Sequence, residues 1–212
     1  MKKFLLFTLI VIACLFIFVR WNQAEDFPAE LSDEDKHLVE LSQKAESFDE
    51  IYFILEKNDS EIMQMELSKV DNPIVQQALL NYENLSANTL VNICQNPHED
   101  LNLKHQEIKI WFVDAISEAE LNEEQEMSIA KIKEYAMQIG ILSRERISAE
   151  TLIQILNLND NQFNWVINLE NEDVKKFVYN HILKVSLTSK QEEQLENMDI
   201  SYVTHALKAR NQ

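Results

Sequence analysis

Apolar residues recur along most of the chain at the three- and four-residue spacing of an amphipathic helix. The clearest case is residues 104–118, where Ile108, Trp111, Phe112 and Ile116 would share one face. No segment shows convincing alternation of β-branched residues. One glycine and three prolines are also too few for the turns and bulges on which sheets depend. The sequence therefore predicts an all-α protein.

Residues that favour helix starts divide this pattern into separate helices. The predicted starts are Ser32, Ser47, Ser60, Asn72, Ser86, residue 104, Asn122, Ser148, Asn171, Ser189 and Asp199. Capping boxes are predicted for the pairs Ser47 with Glu50, Asn122 with Gln125, and Ser189 with Glu192. The first helix should bury a stripe of Leu38, Leu41 and Ala45. The helix from Asn122 should run to Ile139 and end at Gly140.

Part of the chain occurs twice. The aligned ranges are 85–93 with 147–155 at an offset of 62, and 107–112 with 173–178 and 121–126 with 187–192 at an offset of 66. The four-residue difference between the offsets falls between helices, which indicates a duplicated helical unit. Self-similarity of this kind is typical of stacked helix pairs, in which each pair buries its apolar face against its neighbours.

A second regularity lies in residues 72–97. The dipeptides Asn72-Pro73 and Asn96-Pro97 lie 24 residues apart, and each opens a new unit. The string Asn72-Pro73-Ile74-Val75, Ala78-Leu79, Asn84-Leu85-Ser86, Leu90 and Ile93 resembles the leucine-rich-repeat-variant and HEAT-like α-solenoids of bacteria. The chain departs from that pattern in its few glycines and prolines and in its drifting repeat length. The resemblance implies a curved stack of helices used for protein binding, with no catalytic residues to carry over.

Residues 1–21 are predicted to be a membrane anchor. The uncharged run from Phe4 to Val19 follows two lysines and is closed by Arg20 and Trp21. At about 1.5 Å per residue the run reaches about 24 Å, slightly short of a bilayer core of about 30 Å. Trp21 is a natural anchor at the membrane–water interface and extends this span.

The lysines before the run favour a cytoplasmic N-terminus, which places the rest of the chain on the far side of the membrane. Residues 22–31 would be a short linker and residues 32–212 a helical-repeat domain. The expected architecture is a short right-handed α-solenoid of helix pairs behind an N-terminal transmembrane helix. The style of the segment is bacterial, so we expect a single-pass protein of the inner membrane with its domain in the periplasm.

Two alternatives for residues 1–21 stay open. Cleavage after Asn22-Gln23-Ala24 would release the domain, although asparagine fits poorly at the first position of such a site. Residues 11–14, Val-Ile-Ala-Cys, resemble the lipobox of bacterial lipoproteins, in which Cys14 would be acylated. Against lipidation, the residues after Cys14 remain strongly apolar. All three alternatives export the domain.

The charge of the chain restricts its partners. The formal net charge is −17, and residues 1–20 carry three basic residues and no acid, so the domain is more acidic still. Such a surface repels phosphate backbones, which argues against a nucleic-acid ligand. The charge either serves only to keep the surface well solvated or, as the sharper alternative, fits a basic protein partner.

Candidate chemistry is sparse. With Gly140 alone, the chain cannot contain a Walker loop, a dinucleotide-binding GxGxxG or a GxSxG nucleophile elbow. His98 and His105 form the one local cluster with metal-ligand character, but their spacing matches no zinc motif and predicts a solvated loop. Cys94 and His181 fall on apolar helix faces, where we expect a packed thiol and a hydrogen-bonded core histidine. We expect no catalytic residue, cofactor or metal.

The expected function is a membrane-tethered, extracytoplasmic module that binds or scaffolds another protein. Trp165, with Leu169 near its side, lies opposite the other apolar residues of its segment. It either packs on the neighbouring unit or is exposed as an aromatic anchor for a partner. One form of this function is an immunity-type protein whose acidic face neutralises a basic toxin. The alternative is an envelope-acting hydrolase, or its accessory subunit, that uses scattered carboxylates or His98 and His105.

Overall fold

The computed structural model describes residues 30–101, 103, 105–159, 167, 169 and 171–211. These residues form α-helices and no strand, which confirms the predicted all-α class. The helices are α1 (Asp33–Ser42), α2 (Phe48–Lys57), α3 (Glu61–Ser68), α4 (Pro73–Leu80), α5 (Ala87–Gln95), α6 (Gln106–Glu118), α7 (Glu123–Ala130), α8 (Tyr135–Ser143), α9 (Ala149–Asn159), α10 (Glu172–Lys184), α11 (Ser189–Glu196) and α12 (Ser201–Arg210). They belong to one compact unit that begins at Asp33.

The predicted membrane segment, residues 1–21, lies outside the described residues. So do its anchor residues Phe4, Val19 and Trp21 and the lipidation candidate Cys14. Among the helices that the structure describes, none is long and apolar enough to cross a bilayer.

The helices pack in two rows that alternate along the chain. In the odd row, each of α1, α3, α5, α7, α9 and α11 packs on the next member of that row, and the even row from α2 to α12 does the same. Neighbouring helices of the two rows also pair, as α1 does with α2 and α7 with α8. Each helix therefore finds its main neighbours one or two positions away along the chain.

Most helices begin where the sequence predicts. Side-chain oxygens accept backbone N–H groups at Ser60, Asn72, Ser86, Asn122, Ser148 and Asn171. The capping box predicted at Ser47 does not form, because Glu50 accepts the N–H of Glu46 instead. The box predicted at Ser189 lies one residue earlier, where Thr188 pairs with Gln191. These are the residues that the offset of 66 aligns with the box of α7.

The predicted stripe of the first helix is wrong at one position. Leu38 and Ala45 are buried, but Leu41 is 50% exposed. Ser42, four residues after Leu38, takes the inward position and donates its hydroxyl to the Val39 carbonyl. This local hydrogen bond gives the buried Ser42 hydroxyl a partner.

The long helix predicted from Asn122 is two helices, and Gly140 ends neither of them. α7 stops at Ala130, α8 starts at Tyr135, and Gly140 lies buried inside α8. A Cβ atom on Gly140 would lie 2.8 Å from the Cβ of Ile116 in α6. The glycine therefore permits a close approach of two even-row helices, and this packing outweighs its cost in a helix interior.

Cys94 lies on the buried face of α5 and is 2% exposed. Burial raises the pKa of its thiol, so the thiolate that reactive cysteines need is disfavoured. The prediction of a packed structural cysteine is confirmed.

Replacing Gly140 by alanine should destabilise the domain by about 1–3 kcal/mol, because the new methyl group overpacks the contact with Ile116. Chemical denaturation at pH 7 measures this change in the free energy of unfolding. In an Ile116→Ala background the cost should be smaller, since the truncated side chain lets the helices adjust. An exposed helical site would gain about 1 kcal/mol from the same change, so a stabilised G140A variant would contradict the close-packing interpretation.

Candidate functional site

The duplicated segments make equivalent contacts in three dimensions. Gln125 Nε2 donates to Asn88 Oδ1 at 2.7 Å, and Gln191 Nε2 donates to Glu150 Oε1 at 2.6 Å. The acceptors are related by the offset of 62 and the donors by the offset of 66. Each bond ties two consecutive helices of the odd row together, α5 to α7 in one copy and α9 to α11 in the other.

A second equivalent contact fixes the turns before α5 and α9. Gln64 Oε1 accepts the N–H of Ser86 at 2.7 Å, and Glu126 Oε2 accepts the N–H of Ser148 at 3.1 Å. Both acceptors are at most 5% exposed. The offset of 62 thus relates a neutral amide in the first copy to a buried carboxylate in the second.

The carboxylate of Glu126 pairs with Arg144. Glu126 Oε1 lies 3.4 Å from Arg144 Nε, and both side chains are at most 11% exposed. Burial raises the pKa of Glu126 against the opposing effects of Ser148 and Arg144, and burial lowers the pKa of Arg144. The Nη1 atom of Arg144 also donates to the carbonyls of Ile116 and Ala119 at the end of α6, where a cation suits the helix dipole.

On one side of this pair lies an acidic cleft of about 750 Å³. This first cleft is formed by residues 80–90 and the C-terminal end of α6, residues 114–120. It contains four exposed acids, Glu83, Asp114, Glu118 and Glu120, and no basic side chain lines it. In the part of the chain that the structure describes, none of the four carboxylates has an ion-pair partner.

An aromatic cluster reaches the first cleft through Tyr82. The ring of Tyr82 stacks on Tyr52 with centroids 6.2 Å apart, and Phe48 meets both Tyr52 and Trp111 edge to face. Tyr82 is half-buried and lines the cleft. The first cleft therefore combines negative charge with an aromatic ring held in place by its neighbours.

The second copy carries a matching cleft, also of about 750 Å³. This second cleft is formed by residues 145–150 and the C-terminal end of α10, with residues 185–191. Its lining includes the cations Arg146 and Lys184 in addition to acids. The duplication has therefore kept the cleft and changed its charge.

His181 is the buried histidine that the sequence predicts. It is 4% exposed, and its Nε2 atom lies 2.8 Å from the Leu142 carbonyl oxygen. Burial lowers its pKa, and Lys184 lowers it further, against the effect of the Leu142 bond. Its imidazole also lines the second cleft.

His98 and His105 do not form a metal site in the structure. His98 Nδ1 accepts the N–H of Asp100 at 3.1 Å, and Nε2 lies 3.0 Å from Asp71 Oδ1. Its side chain is only 10% exposed, so the prediction of a solvated loop is wrong for His98 and holds for the exposed His105. Within the described ranges, no three His, Cys, Asp or Glu residues are placed to hold a metal ion.

The predicted partner-binding residues are only partly described. Trp165 lies outside the described residues, and Leu169 is half-buried. Sequence reasoning missed both clefts and the pair of Glu126 with Arg144. Extending the offset of 62 upstream of residue 85 aligns Gln64 with Glu126 and Tyr82 with Arg144. The aligned sequence therefore already indicated that a charged pair replaces two neutral residues in the second copy.

No protein-family model, no curated protein and no solved structure matches this chain. Its function is therefore inferred from the chemistry of the two clefts.

Replacing Glu126 by alanine should cost about 1–3 kcal/mol of unfolding free energy, because it leaves the buried Arg144 guanidinium without its ion-pair partner and the Ser148 N–H without its acceptor. Glu126→Gln should cost less, since glutamine accepts the same N–H as Gln64 does in the first copy. Denaturant titration at pH 7 compares the variants. Equal losses in the two variants would show that the bond to Ser148 is unimportant.

The lowered pKa of His181 predicts a pH dependence of stability. Its ordinary value is 6.5, so between pH 6.5 and its lower folded pKa the unfolded chain binds more protons than the folded one. Stability should therefore fall as the pH falls through this window. Thermal unfolding from pH 7.5 to pH 5 should show a smaller loss in His181→Gln than in the wild type. Exposed His105→Gln is the matched control, and an unchanged slope in the His181 variant would contradict the prediction.

Proposed function

We propose that this chain is a membrane-tethered, extracytoplasmic protein-binding module whose first cleft captures a basic segment of a partner protein. The observation that carries the proposal is the lining of this cleft by four acids and no base. In the proposed arrangement, residues 1–21 hold the protein in the bacterial inner membrane. The short linker 22–31 keeps the domain near the lipid on the periplasmic side.

The charge distribution supports a basic partner. Glu83, Asp114, Glu118 and Glu120 share one concave surface, where walls of low dielectric focus their combined field. A lysine or arginine entering the cleft would also meet the ring of Tyr82, and a cation over an aromatic face gains about 0.5–1 kcal/mol at exposed sites. Complementary charge of this kind raises the association rate and discriminates against acidic partners. It also repels the phosphates of nucleic acid.

The packing of the helices supports a short right-handed α-solenoid. Each helix packs on the second helix before and after it, and the bonds to Asn88 and Glu150 recur at the offsets of the duplication. Repeat stacks of this type commonly bind other proteins along one surface. An immunity-type protein, which neutralises a basic toxin at the membrane, is the specific form that fits the acidic cleft.

The alternative, a hydrolase of the cell envelope, needs a carboxylate of shifted pKa in an open cleft. Glu126 meets the first requirement, because burial raises the pKa of its carboxyl. It is 5% exposed, and its oxygens face Ser148 and Arg144. No observation in the described residues favours the hydrolase over the binding module.

Reversing charge in the first cleft should weaken the binding of a basic peptide. For a fluorescein-labelled octapeptide of alternating lysine and alanine, Asp114→Lys with Glu118→Lys should reduce affinity about tenfold or more, because two attractive charges become repulsive. Fluorescence anisotropy with the full-length protein in detergent measures the dissociation constant.

The matched control is Glu193→Lys with Glu196→Lys on α11, which changes the net charge equally outside the first cleft. Equal weakening in both double variants would mean that the peptide senses only the total charge of the protein. That result would overturn the assignment of the first cleft as the binding site.

A further inference from the structure

The second cleft differs from the first at the positions that decide which ligand it takes. At the offset of 62, Arg146 replaces Asn84. At the offset of 66, Lys184 replaces Glu118 and His181 replaces Ala115. All three residues line the second cleft, and their counterparts line the first. The second copy thus has two cations and a hydrogen-bonding ring where the first has an amide, one acid and a methyl group.

His181 presents an acceptor to this cleft. A carbonyl oxygen can only accept, so the bond to Leu142 places the ring proton on Nε2 and leaves the Nδ1 lone pair free. Within the described residues Nδ1 has no hydrogen-bond partner, and it is not among the buried atoms that lack one. His181 is 4% exposed and lines the second cleft, and Nδ1 is its one polar side-chain atom without a partner in the described residues.

The cations of the second cleft are available to a ligand. Arg146 and Lys184 are exposed, and neither forms an ion pair in the part of the chain that the structure describes. Both contribute to the same lining as His181. An anionic group between them would gain charge-assisted hydrogen bonds, which are about twice as strong as neutral ones.

The acids of the second cleft limit the ligand further. Glu123 and Glu145 line it without a described partner, whereas Glu150 accepts a hydrogen bond from Gln191. Groups of high negative charge, such as phosphates, are repelled by these acids. A ligand with a singly charged carboxylate and a neighbouring cationic group would pair with both the basic and the acidic side chains of the cleft. A cleft of about 750 Å³ also lies within the range of about 300–1,000 Å³ that suits ligands of a few residues.

We propose that the second cleft binds the carboxyl terminus of a peptide chain. The terminal carboxylate lies between Arg146 and Lys184, and a backbone N–H beside it donates to His181 Nδ1. A basic side chain next to the terminus lies toward Glu123 and Glu145. This inference deepens the proposed function, because it makes the partner segment one that ends in a free carboxylate.

Isothermal titration calorimetry of the full-length protein in detergent tests the inference with three peptides. The first is acetyl-Ala-Lys-Ala with a free carboxyl terminus, the second is its C-terminal amide, and the third is acetyl-Ala-Lys-Asp-amide, which carries its carboxylate on a side chain. The free acid should bind about tenfold or more tightly than either amide, since it alone places a carboxylate at the chain end.

Arg146→Gln with Lys184→Gln should abolish the preference for the free acid. The matched control, Lys131→Gln with Lys133→Gln, removes two exposed cations outside both clefts and should retain it, and thermal unfolding checks that all variants fold. Equal binding of the free acid and its amide, no binding of any peptide, or a preference that survives loss of both cations would overturn the inference. Equal binding of the free acid and the aspartate peptide would overturn the assignment to a chain terminus.

This test separates the two proposals. If the lysine–alanine octapeptide still binds in the first cleft while the free acid shows no advantage, only the assignment of the second cleft fails. If the octapeptide also fails to bind, the proposed function fails with it.

Discussion

The buried pair of Glu126 and Arg144 holds the middle of this domain together. Arg144 binds the carbonyls that end α6, and Glu126 binds the N–H that begins the turn into α9. Ala119, whose carbonyl Arg144 binds, lines the first cleft, and Ser148, whose N–H Glu126 binds, lines the second. Burying two charges is expensive, and the hydrogen bonds around this pair offset that expense. The position of both clefts therefore depends on one charged contact.

The two clefts lie at aligned positions of the chain and differ in the side chains that line them. The bonds that tie consecutive odd-row helices recur at Asn88 and Glu150, so the framework is common to both copies. Most side chains that line the clefts take no part in these bonds, so they can be substituted without disturbing the packing of the helices. The exchange of Glu118 for Lys184 reverses a charge while leaving the helix end in place. The packing permits this because each helix makes its main contacts with helices one or two positions away along the chain.

The sequence predicts the local features well and the contacts between helices poorly. Helix starts such as Ser86 and Asn122 were predictable because a capping side chain acts on backbone groups two or three residues away. The role of Gly140 was predicted wrongly because it depends on a close contact with Ile116, a residue of another helix. The clefts could not be predicted from periodicity, since their lining comes from turns and helix ends. The aligned copies could nevertheless have pointed to Glu126, where a carboxylate replaces the amide of Gln64.

The proposed function places a protein partner in the first cleft. A photoreactive amino acid at Ala119, which lines this cleft, detects such a partner when intact cells that produce the full-length protein are irradiated. Asn197, an exposed residue at the end of α11, is the comparison position. We expect one stoichiometric crosslink to a basic protein from position 119, none from position 197, and loss of the crosslink when Glu118 is replaced by lysine. Crosslinks of equal yield from both positions, or none from position 119, would contradict it.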